Sequence, residues 1–261
     1  MEPRNAHPAA FSRGHLLVGD AGMDRLRSAR VLVCGVGGVG SAAVEALARS
    51  AVGHFRLVDF DTVNPSNINR QLHALHSTLG LPKVAAEALR IRDINPGVEV
   101  IAEQCRATVE TVAAYLDPVP DHVVDAIDDT DVKVALLAEC ARRGIPVVSA
   151  MGAANKLLPG EIRVADIEHS RQCPLARVVR KRLRRLGIGG GITAVYSEEL
   201  PIRLADGEFQ AEEAEEAGGK RPQGTISYMP SLFGLHCASV VIRNLLGDLT
   251  FRRRGEAEQT R

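Results

Sequence analysis

The sequence predicts an α/β fold: a Rossmann-like, mostly parallel sheet with flanking helices and an antiparallel extension in the C-terminal half. Three observations predict it. Short apolar runs rich in β-branched residues alternate with stretches of helical periodicity between residues 30 and 150. The first run, residues 30–34, ends directly in a glycine-rich turn, residues 35–40. From residue 161 to 167, apolar and polar side chains alternate, which is typical of an antiparallel strand.

The elements follow in order along the chain. A short helix is predicted at 22–29, and the turn after the first strand opens into a helix over 41–52, because small and apolar residues recur there at helical spacing. The next strand, 55–58, ends on acidic residues. The same patterns predict helices at 83–94, 109–116 and 131–143, and strands at 98–101, 123–129 and 145–149. The C-terminal half is predicted to contain a strand at 161–167, a basic helix from 174, a strand at 193–196 and a closing helix at 232–246.

We expect four segments along the chain. Residues 1–29 form an N-terminal arm and helix, and residues 30–159 form the nucleotide-binding Rossmann-like part. Residues 160–250 form a C-terminal extension that packs with it as one domain, including a polar surface loop at 206–220, and residues 251–261 form a tail.

Composition excludes several classes of protein. The chain has 261 residues, of which 45% are hydrophobic, enough to bury a sizeable core. Lys plus Arg and Asp plus Glu both number 32, so a surface for nucleic acid must be a local patch. The 5 cysteines include no C-x-x-C pair, which argues against a disulfide framework and a zinc ribbon. We find no apolar run of membrane-spanning length and no signal-peptide core, and we expect a cytoplasmic protein with reduced thiols.

The glycine turn predicts nucleotide binding. Glycines let the backbone approach a phosphate, while free N–H groups at the start of the following helix point towards it. Asp59, at the tip of the second strand, can accept hydrogen bonds from a ribose. A turn that only packs helix against strand is the alternative. The predicted glycine contacts are Gly35, Gly37, Gly38 and Gly40.

A polar loop after the second strand adds cations to this site. It lies at the carboxyl end of the sheet, where open α/β folds bind ligands. Lys83 follows a proline in the first turn of a helix, and a cation there is unfavourable unless an anion lies in front of it. Lys83 and Arg70 therefore indicate a site for further phosphates, although a solvated Lys83 is the alternative. The candidate ligands in and beside this loop are Asp61, Asn67, Arg70 and Gln71.

Acids end the fourth predicted strand. Asp128 and Asp129 are the magnesium candidates, because neighbouring carboxylates repel one another unless a cation lies between them. The alternative is that one of the two caps the next helix. Asp125 lies inside the strand and is a weaker candidate.

One local basic patch stands out in this neutral chain. Six cations fall within residues 177–185, and we find no matching acids nearby in sequence, which favours a surface for a polyanion over a merely solvated helix face. Cys173, just before this helix, is a candidate thiolate nucleophile, but no histidine partner is evident. The predicted polyanion-binding residues on the helix are Arg177, Arg180, Lys181, Arg184 and Arg185.

Four motifs together resemble a known family. They are Gly35-x-Gly37-Gly38-x-Gly40, Asp59-Phe60-Asp61, Asn67-x-x-Arg70-Gln71 with Pro82-Lys83, and Asp125-x-x-Asp128. On these residues the chain resembles the ThiF/MoeB/HesA group, the bacterial relatives of ubiquitin-activating enzymes.

Within this group the chain is most similar to the branch of tRNA threonylcarbamoyladenosine dehydratases. The paired C-x-x-C zinc motifs typical of the ThiF and MoeB branch are absent from the sequence. Ala10 stands where members often have an arginine. Four further stretches extend the likeness over nearly the whole chain: Phe11-Ser12-Arg13 with Gly19, residues 173–176, residues 195–199 and residues 230–234.

The resemblance implies a homodimer that binds ATP and Mg²⁺. It would adenylate the threonyl carboxylate of threonylcarbamoyladenosine in tRNA, after which the carbamoyl group displaces AMP and closes a ring with net loss of water. The resemblance leaves open a sulfur-transfer or cysteine desulfurase partner. The implied roles are Asp59 on the ribose, Arg70 and Lys83 on the phosphates, Asp128 on the metal, the basic helix on tRNA phosphates, and Arg13 as an arginine finger from the other subunit.

Three other functions compete with this hypothesis. An adenylyltransferase for a ubiquitin-like sulfur carrier would use the same nucleotide site. An NAD-dependent oxidoreductase would use the glycine turn, yet it gives Arg70, Lys83 and Asp128 no joint purpose. The third is a non-catalytic tRNA-binding module.

Overall fold

A single seven-stranded sheet with the strand order β3-β2-β1-β4-β5-β7-β6 forms the centre of the molecule. The computed structural model describes residues 9–202, 223–247 and 249. Neighbouring strands are parallel except β6 and β7, which pair antiparallel, so the predicted fold class is confirmed. The strands are β1 (Arg30–Cys34), β2 (His54–Asp59), β3 (Glu99–Gln104), β4 (His122–Asp125), β5 (Val147–Ala150), β6 (Ile162–Asp166) and β7 (Thr193–Ser197).

Six α-helices flank the sheet within the described residues. They are α1 (Ser12–Ser28), α2 (Gly38–Arg49), α3 (Lys83–Ile94), α4 (Thr130–Arg143), α5 (Pro174–Arg185) and α6 (Tyr228–Leu246). Short 3-10 helices lie at Pro65–Asn67, His76–Thr78, Val112–Leu116, Pro159–Glu161 and Ile167–His169.

Three element predictions need correction. Helix α1 begins at Ser12, ten residues before the predicted start, and bends at Gly19, where φ is 68°. Its first half has no buried face, since Leu16 and Leu17 are 76% and 75% exposed, so the sequence shows no amphipathic pattern there. The predicted helix at 109–116 is only a 3-10 helix. Strand β4 ends at Asp125, and the following acids lie in a loop. The predicted loop at 206–220 and the tail lie outside the described residues.

Helices α2 and α6 cover one face of the sheet and pack tightly together. A methyl group on Gly234 of α6 would lie 2.3 Å from the carbonyl oxygen of Val39, in the first turn of α2, so only glycine fits there. Phe233, Cys237 and Val241 of α6 are fully buried. The apolar pattern of this helix also predicts a core position for Leu235, but that prediction is wrong, because Leu235 is 47% exposed.

Helix α6 also corrects the expectation that no stretch reaches membrane-spanning length. In the described ranges it is the one helix that is long and apolar enough to cross a membrane by length and composition. Half of it is buried within the protein, and its packing on α2 accounts for its apolar composition. Helices α4 and α5 cover the opposite face of the sheet, where Leu136, Leu137 and Leu183 are buried.

Candidate nucleotide and metal site

The glycine turn connects β1 to α2 at the carboxyl end of the sheet. Gly35 has a φ of 88°, and a methyl group on it would lie 2.5 Å from the carbonyl oxygen of Ala126. A methyl group on Gly40 would lie 1.9 Å from the carbonyl oxygen of Gly35. At Gly37 the space is open, since the nearest atom to such a methyl group is the Nε2 of Gln71 at 3.9 Å. Two glycines therefore let the turn form, and the third leaves room for a ligand beside the unpaired N–H groups of the first turn of α2.

Alanine at these positions should separate folding from nucleotide binding. We expect Gly40→Ala to lower the free energy of unfolding by about 3 kcal/mol, because the methyl group overlaps the backbone of the turn. Gly37 has a φ of −86°, which any residue adopts, so Gly37→Ala should keep wild-type stability. It should weaken ATP binding on the order of tenfold by blocking close approach of the phosphates. Chemical denaturation and ATP titration of both variants check this, and equal loss of stability in both would contradict it.

Asp59 links the end of β2 to the glycine turn. Its Oδ2 accepts a hydrogen bond from the backbone N–H of Val36 at 2.7 Å, and its Oδ1 accepts one from the N–H of Asp61 at 2.9 Å. These bonds fix the orientation of the carboxylate. Each oxygen keeps a further lone pair, which suits the predicted hydrogen bonds to ribose hydroxyls.

Lys83 forms an ion pair with Asp61 at the start of α3. Its Nζ lies 2.7 Å from the Oδ2 of Asp61, and its backbone N–H donates to the carbonyl oxygen of Asp61 at 3.0 Å. The lysine is 7% exposed by side chain and the aspartate 40%. Asp61 therefore supplies part of the negative charge that a lysine at this helix end requires. The ammonium keeps two more N–H donors for a ligand.

The polar loop after β2 folds back onto the glycine turn. Arg70 donates to the carbonyl oxygen of Ser66 at 2.6 Å and to the Oδ1 of Asn69 at 2.9 Å, which orders its guanidinium. Gln71 is buried, and its Oε1 has no hydrogen-bond partner among the described residues. A buried amide oxygen without a donor costs about 1–3 kcal/mol, so a ligand hydroxyl or N–H at this point would be favoured. Asn67 is buried and caps the loop through its Oδ1.

The two magnesium candidates have different roles in the structure. Asp129 caps α4, because its Oδ1 accepts from the N–H groups of Asp131 at 2.8 Å and Val132 at 3.2 Å. Asp128 is exposed, and its carboxylate has no hydrogen bond or ion pair with another described residue. The part of the chain that is described contains no cluster of three or more His, Cys, Asp or Glu residues suited to a metal. Mg²⁺ is commonly held by one carboxylate with substrate phosphates and water, and the exposed Asp128 carboxylate suits that mode of binding.

Two buried pairs of ionisable side chains behind the site were not predicted. Asp125 pairs with Lys133 of α4, and His73 pairs with Glu87 of α3. Both partners of each pair have fully buried side chains, and burial raises the pKa of Glu87. Charged residues inside helical patterns give no local sign of burial, so the sequence could not identify them. The one available sign was that Glu87 follows Lys83 by four positions and shares its helix face.

Four of the five cysteines are buried, and Cys105 is half-buried with its Sγ 3.3 Å from the hydroxyl of Tyr115. Burial raises the pKa of Cys34, and it raises the pKa of Cys140 and Cys237 to about 12. Cys173 is 5% exposed and lies at the start of α5. Its burial disfavours the thiolate hypothesis.

Helix α5 has acidic partners that the sequence analysis did not find. Arg184 forms an ion pair with Glu168, and Arg182 forms one with Asp131 of α4. Arg180 donates to the carbonyl oxygens of Ile167 and Ser170. The helix itself contains no matching acids, but the fold brings Asp131 and Glu168 to it. Three exposed cations have no hydrogen bond or ion pair with a described residue, and they lie four residues apart on one face: Arg177, Lys181 and Arg185.

Arg13 lies far from the glycine turn of its own chain. Phe11, two residues earlier, lines a cavity of about 340 Å³ together with His54 and Gly97, at the amino ends of β2 and β3. The turn lies at the opposite edge of the sheet, and a strand as long as β2 spans about 20 Å. An arginine side chain is shorter than this distance, so we expect that Arg13 does not reach the site within one chain.

Comparisons with known proteins show which family and which enzymes this chain is similar to. The model of the ThiF family matches residues 11–259. The chain is 44% identical over 246 residues to the tRNA threonylcarbamoyladenosine dehydratase of Bacillus subtilis, covering 93% of this chain and 97% of that one. It is 36% identical to the enzyme of that name from Escherichia coli, covering 88% and 91%. The crystal structure of the E. coli dehydratase TcdA in complex with ATP is similar with a TM-score of 0.83 and 33% identity, covering 94% and 97%.

Proposed function

The chain belongs to the ThiF family, and on this premise we propose that it catalyses the ATP-dependent dehydration of threonylcarbamoyladenosine in tRNA by adenylating the threonyl carboxylate. One observation supports this most strongly. The ribose acid Asp59, the Arg70 loop and the loop leading to Asp128 all contact the glycine turn. Lys83 is held next to these segments by its ion pair with Asp61, two residues after Asp59. Acids and cations from four segments thus surround one place at the carboxyl edge of the sheet.

This arrangement binds a nucleoside triphosphate in a defined orientation. The N–H groups of the glycine turn and the first turn of α2 face the phosphates. Asp59 accepts from the ribose. Lys83 and Arg70 lie where negative charge must be neutralised, and their existing hydrogen bonds hold them in place before the ligand arrives.

Asp128 is our proposed magnesium ligand. Its exposed carboxylate follows β4 at the same edge and is not used by the helix cap. Bound there, Mg²⁺ would neutralise charge on phosphate oxygens. The remaining ligands would come from the triphosphate and water.

The reaction requires positioned charge more than a protein nucleophile. A threonyl carboxylate oxygen attacks the α-phosphorus of ATP, forming a P–O bond while pyrophosphate leaves. The carbamoyl group of the same nucleoside then attacks the activated carbonyl carbon and loses a proton to solvent, and AMP leaves with the former carboxylate oxygen. The substrate thus loses one water, and its oxygen ends in AMP. Lys83 and Arg70 stabilise the charge that develops on the phosphate oxygens, and holding the two groups close promotes ring closure.

We further propose a homodimer in which Arg13 completes the site of the partner subunit. Support comes from Phe11, two residues before Arg13, which lies at the amino ends of β2 and β3, the edge of the sheet opposite the glycine turn. The exposed Leu16 and Leu17 follow it on the same helix half and offer apolar surface to a second subunit. We place the enzyme in the cytoplasm with its tRNA substrate. A sulfur-transfer or cysteine desulfurase partner stays a prediction.

The exposed stripe on α5 is our proposed tRNA contact. We expect the triple variant Arg177→Ala/Lys181→Ala/Arg185→Ala to weaken tRNA binding, and to reduce the slope of log K against log salt by about one unit per lost phosphate contact. ATP affinity should not change. Filter binding across a salt series measures this effect.

A matched control removes three arginines elsewhere, Arg92, Arg142 and Arg243, which are exposed on α3, α4 and α6. This variant should bind tRNA like the wild type. Equal weakening in both triple variants would mean that total charge, not the α5 stripe, determines binding.

Mass spectrometry of tRNA nucleosides tests the function itself. After incubation of the protein with ATP, magnesium and tRNA that contains threonylcarbamoyladenosine, we expect that nucleoside to lose the mass of one water, with release of AMP and pyrophosphate. A sulfur-carrier adenylyltransferase would instead release pyrophosphate only with a small protein that ends in Gly-Gly. Unchanged nucleosides with an active positive control would refute the proposed function.

A further inference from the structure

A fully buried ion pair lies directly beneath the acidic loop. The Nζ of Lys133 on α4 lies 2.6 Å from the Oδ2 of Asp125 at the end of β4, and neither side chain is exposed. Lys133 also donates to the carbonyl oxygen of Ala150 at 3.0 Å, and the hydroxyl of Ser149 donates to Asp125 at 2.5 Å. The pair therefore ties together β4, β5 and α4.

Such a pair is a weak source of stability. Removing two charges from water is costly, and apolar side chains of similar volume often stabilise a protein equally well. An ion pair contributes geometric specificity instead, because its hydrogen bonds fix the relative positions of the segments that contribute to it.

The segment it positions is the loop 126–129. The Oδ1 of Asp125 accepts a hydrogen bond from the N–H of Ile127 at 3.1 Å. Ala126 donates to the carbonyl oxygen of Cys34 at 2.8 Å and packs against Gly35. At its other end the loop enters α4, where Lys133 lies one turn after the cap Asp129. The ion pair thus closes the base of the loop that presents Asp128.

We propose that Asp125 and Lys133 are positioning residues, which hold loop 126–129 so that the Asp128 carboxylate faces the triphosphate and binds its metal. This inference rests on the proposed function for the identity of the ligand. The position of the loop itself does not depend on it.

Two charge-neutral double variants isolate the positioning effect. Asp125→Asn/Lys133→Met keeps an acceptor for the Ile127 N–H, whereas Asp125→Leu/Lys133→Met removes it. We measure ATP affinity against Mg²⁺ concentration, and amide hydrogen exchange at residues 126–129 without ligand. In the leucine variant we expect the half-saturating Mg²⁺ concentration to rise about 10–100-fold, as is typical when support for a metal ligand is lost, and exchange in the loop to accelerate. The asparagine variant should show a smaller rise, because it keeps the acceptor for the Ile127 N–H and loses only the contacts of Lys133.

A third measurement asks whether the effect acts through Asp128. In an Asp128→Asn background, the leucine variant should cause no further change in Mg²⁺ dependence. Identical behaviour of the two folded double variants, or an undiminished effect in that background, would overturn the inference. If the leucine variant does not fold, Asp125→Ala/Lys133→Met takes its place. If the wild type shows no Mg²⁺-dependent ATP binding, the proposed function fails, and hydrogen exchange still tests the loop.

Discussion

Replacement of Lys83 by methionine is expected to lower the rate of adenylation by on the order of 10²–10³-fold. The lysine is the most deeply buried cation that faces the predicted phosphate site, and its ammonium is held at 2.7 Å by Asp61 before any ligand binds. Methionine fills a similar volume without charge. Asp61 is 40% exposed and remains solvated after the change, so the fold should survive. Single-turnover release of pyrophosphate with ATP and modified tRNA measures the effect.

Arg92→Met is the matched control for this experiment. Arg92 lies on the same helix, is exposed, and donates only to the carbonyl oxygen of Val100 among the described residues. Its loss should leave the rate and the affinity for tRNA unchanged. A Lys83→Met enzyme that kept most of its activity would refute the assignment of Lys83 to the phosphates. Loss of tRNA binding together with activity would instead indicate a disturbed fold.

Arg13→Ala and Lys83→Met are each expected to be inactive alone and active when mixed. In the proposed dimer, each site combines Arg13 of one subunit with Lys83 and the phosphate site of the other. A mixed dimer then contains one site with an intact arm and an intact lysine. Random pairing makes half of the dimers mixed, with one of their two sites complete, so about a quarter of the wild-type rate should return. Co-expression with two different affinity tags allows the mixed species to be purified and assayed.

The complementation result separates two kinds of role for Arg13. Recovery of activity only in the mixed species supports action across the subunit interface. An Arg13→Ala enzyme with wild-type activity, or a mixed dimer as inactive as its parents, would remove the arginine from the site. The same purification reports whether two differently tagged chains associate at all.

Local sequence patterns predicted the segment from β1 to β2 well. The run from β1 through the glycine turn to β2 is specified by neighbouring residues: an apolar strand, glycines that alone allow the turn, and a following helix of small residues. Helix α1 was predicted only in part, because its first half has no buried side and Gly19 interrupts the pattern. The helix predicted before β4 is only a short 3-10 helix, and only Val112, Tyr115 and Leu116 are buried there.

The candidate site was predicted where residue type and position together imply chemistry. Lys83 behind a proline and Arg70 in a polar loop were recognisable, and the fold brings both segments to the glycine turn. Long-range pairing was not recognisable. Asp61 as the partner of Lys83, Glu168 as the partner of Arg184, and the buried Lys133 depend on contacts between distant segments. The same limitation explains why the charge of α5 was overestimated.

The packing of Gly234 against the first turn of α2 has a consequence for modularity. The helix whose amino end faces the phosphates is supported from behind by the last described helix of the chain, some two hundred residues later. An excised N-terminal fragment would keep every nucleotide-site motif and yet leave that helix with a bare apolar flank. We therefore expect that the Rossmann-like half neither folds nor binds ATP as a separate fragment, and that ATP binding requires the C-terminal helix.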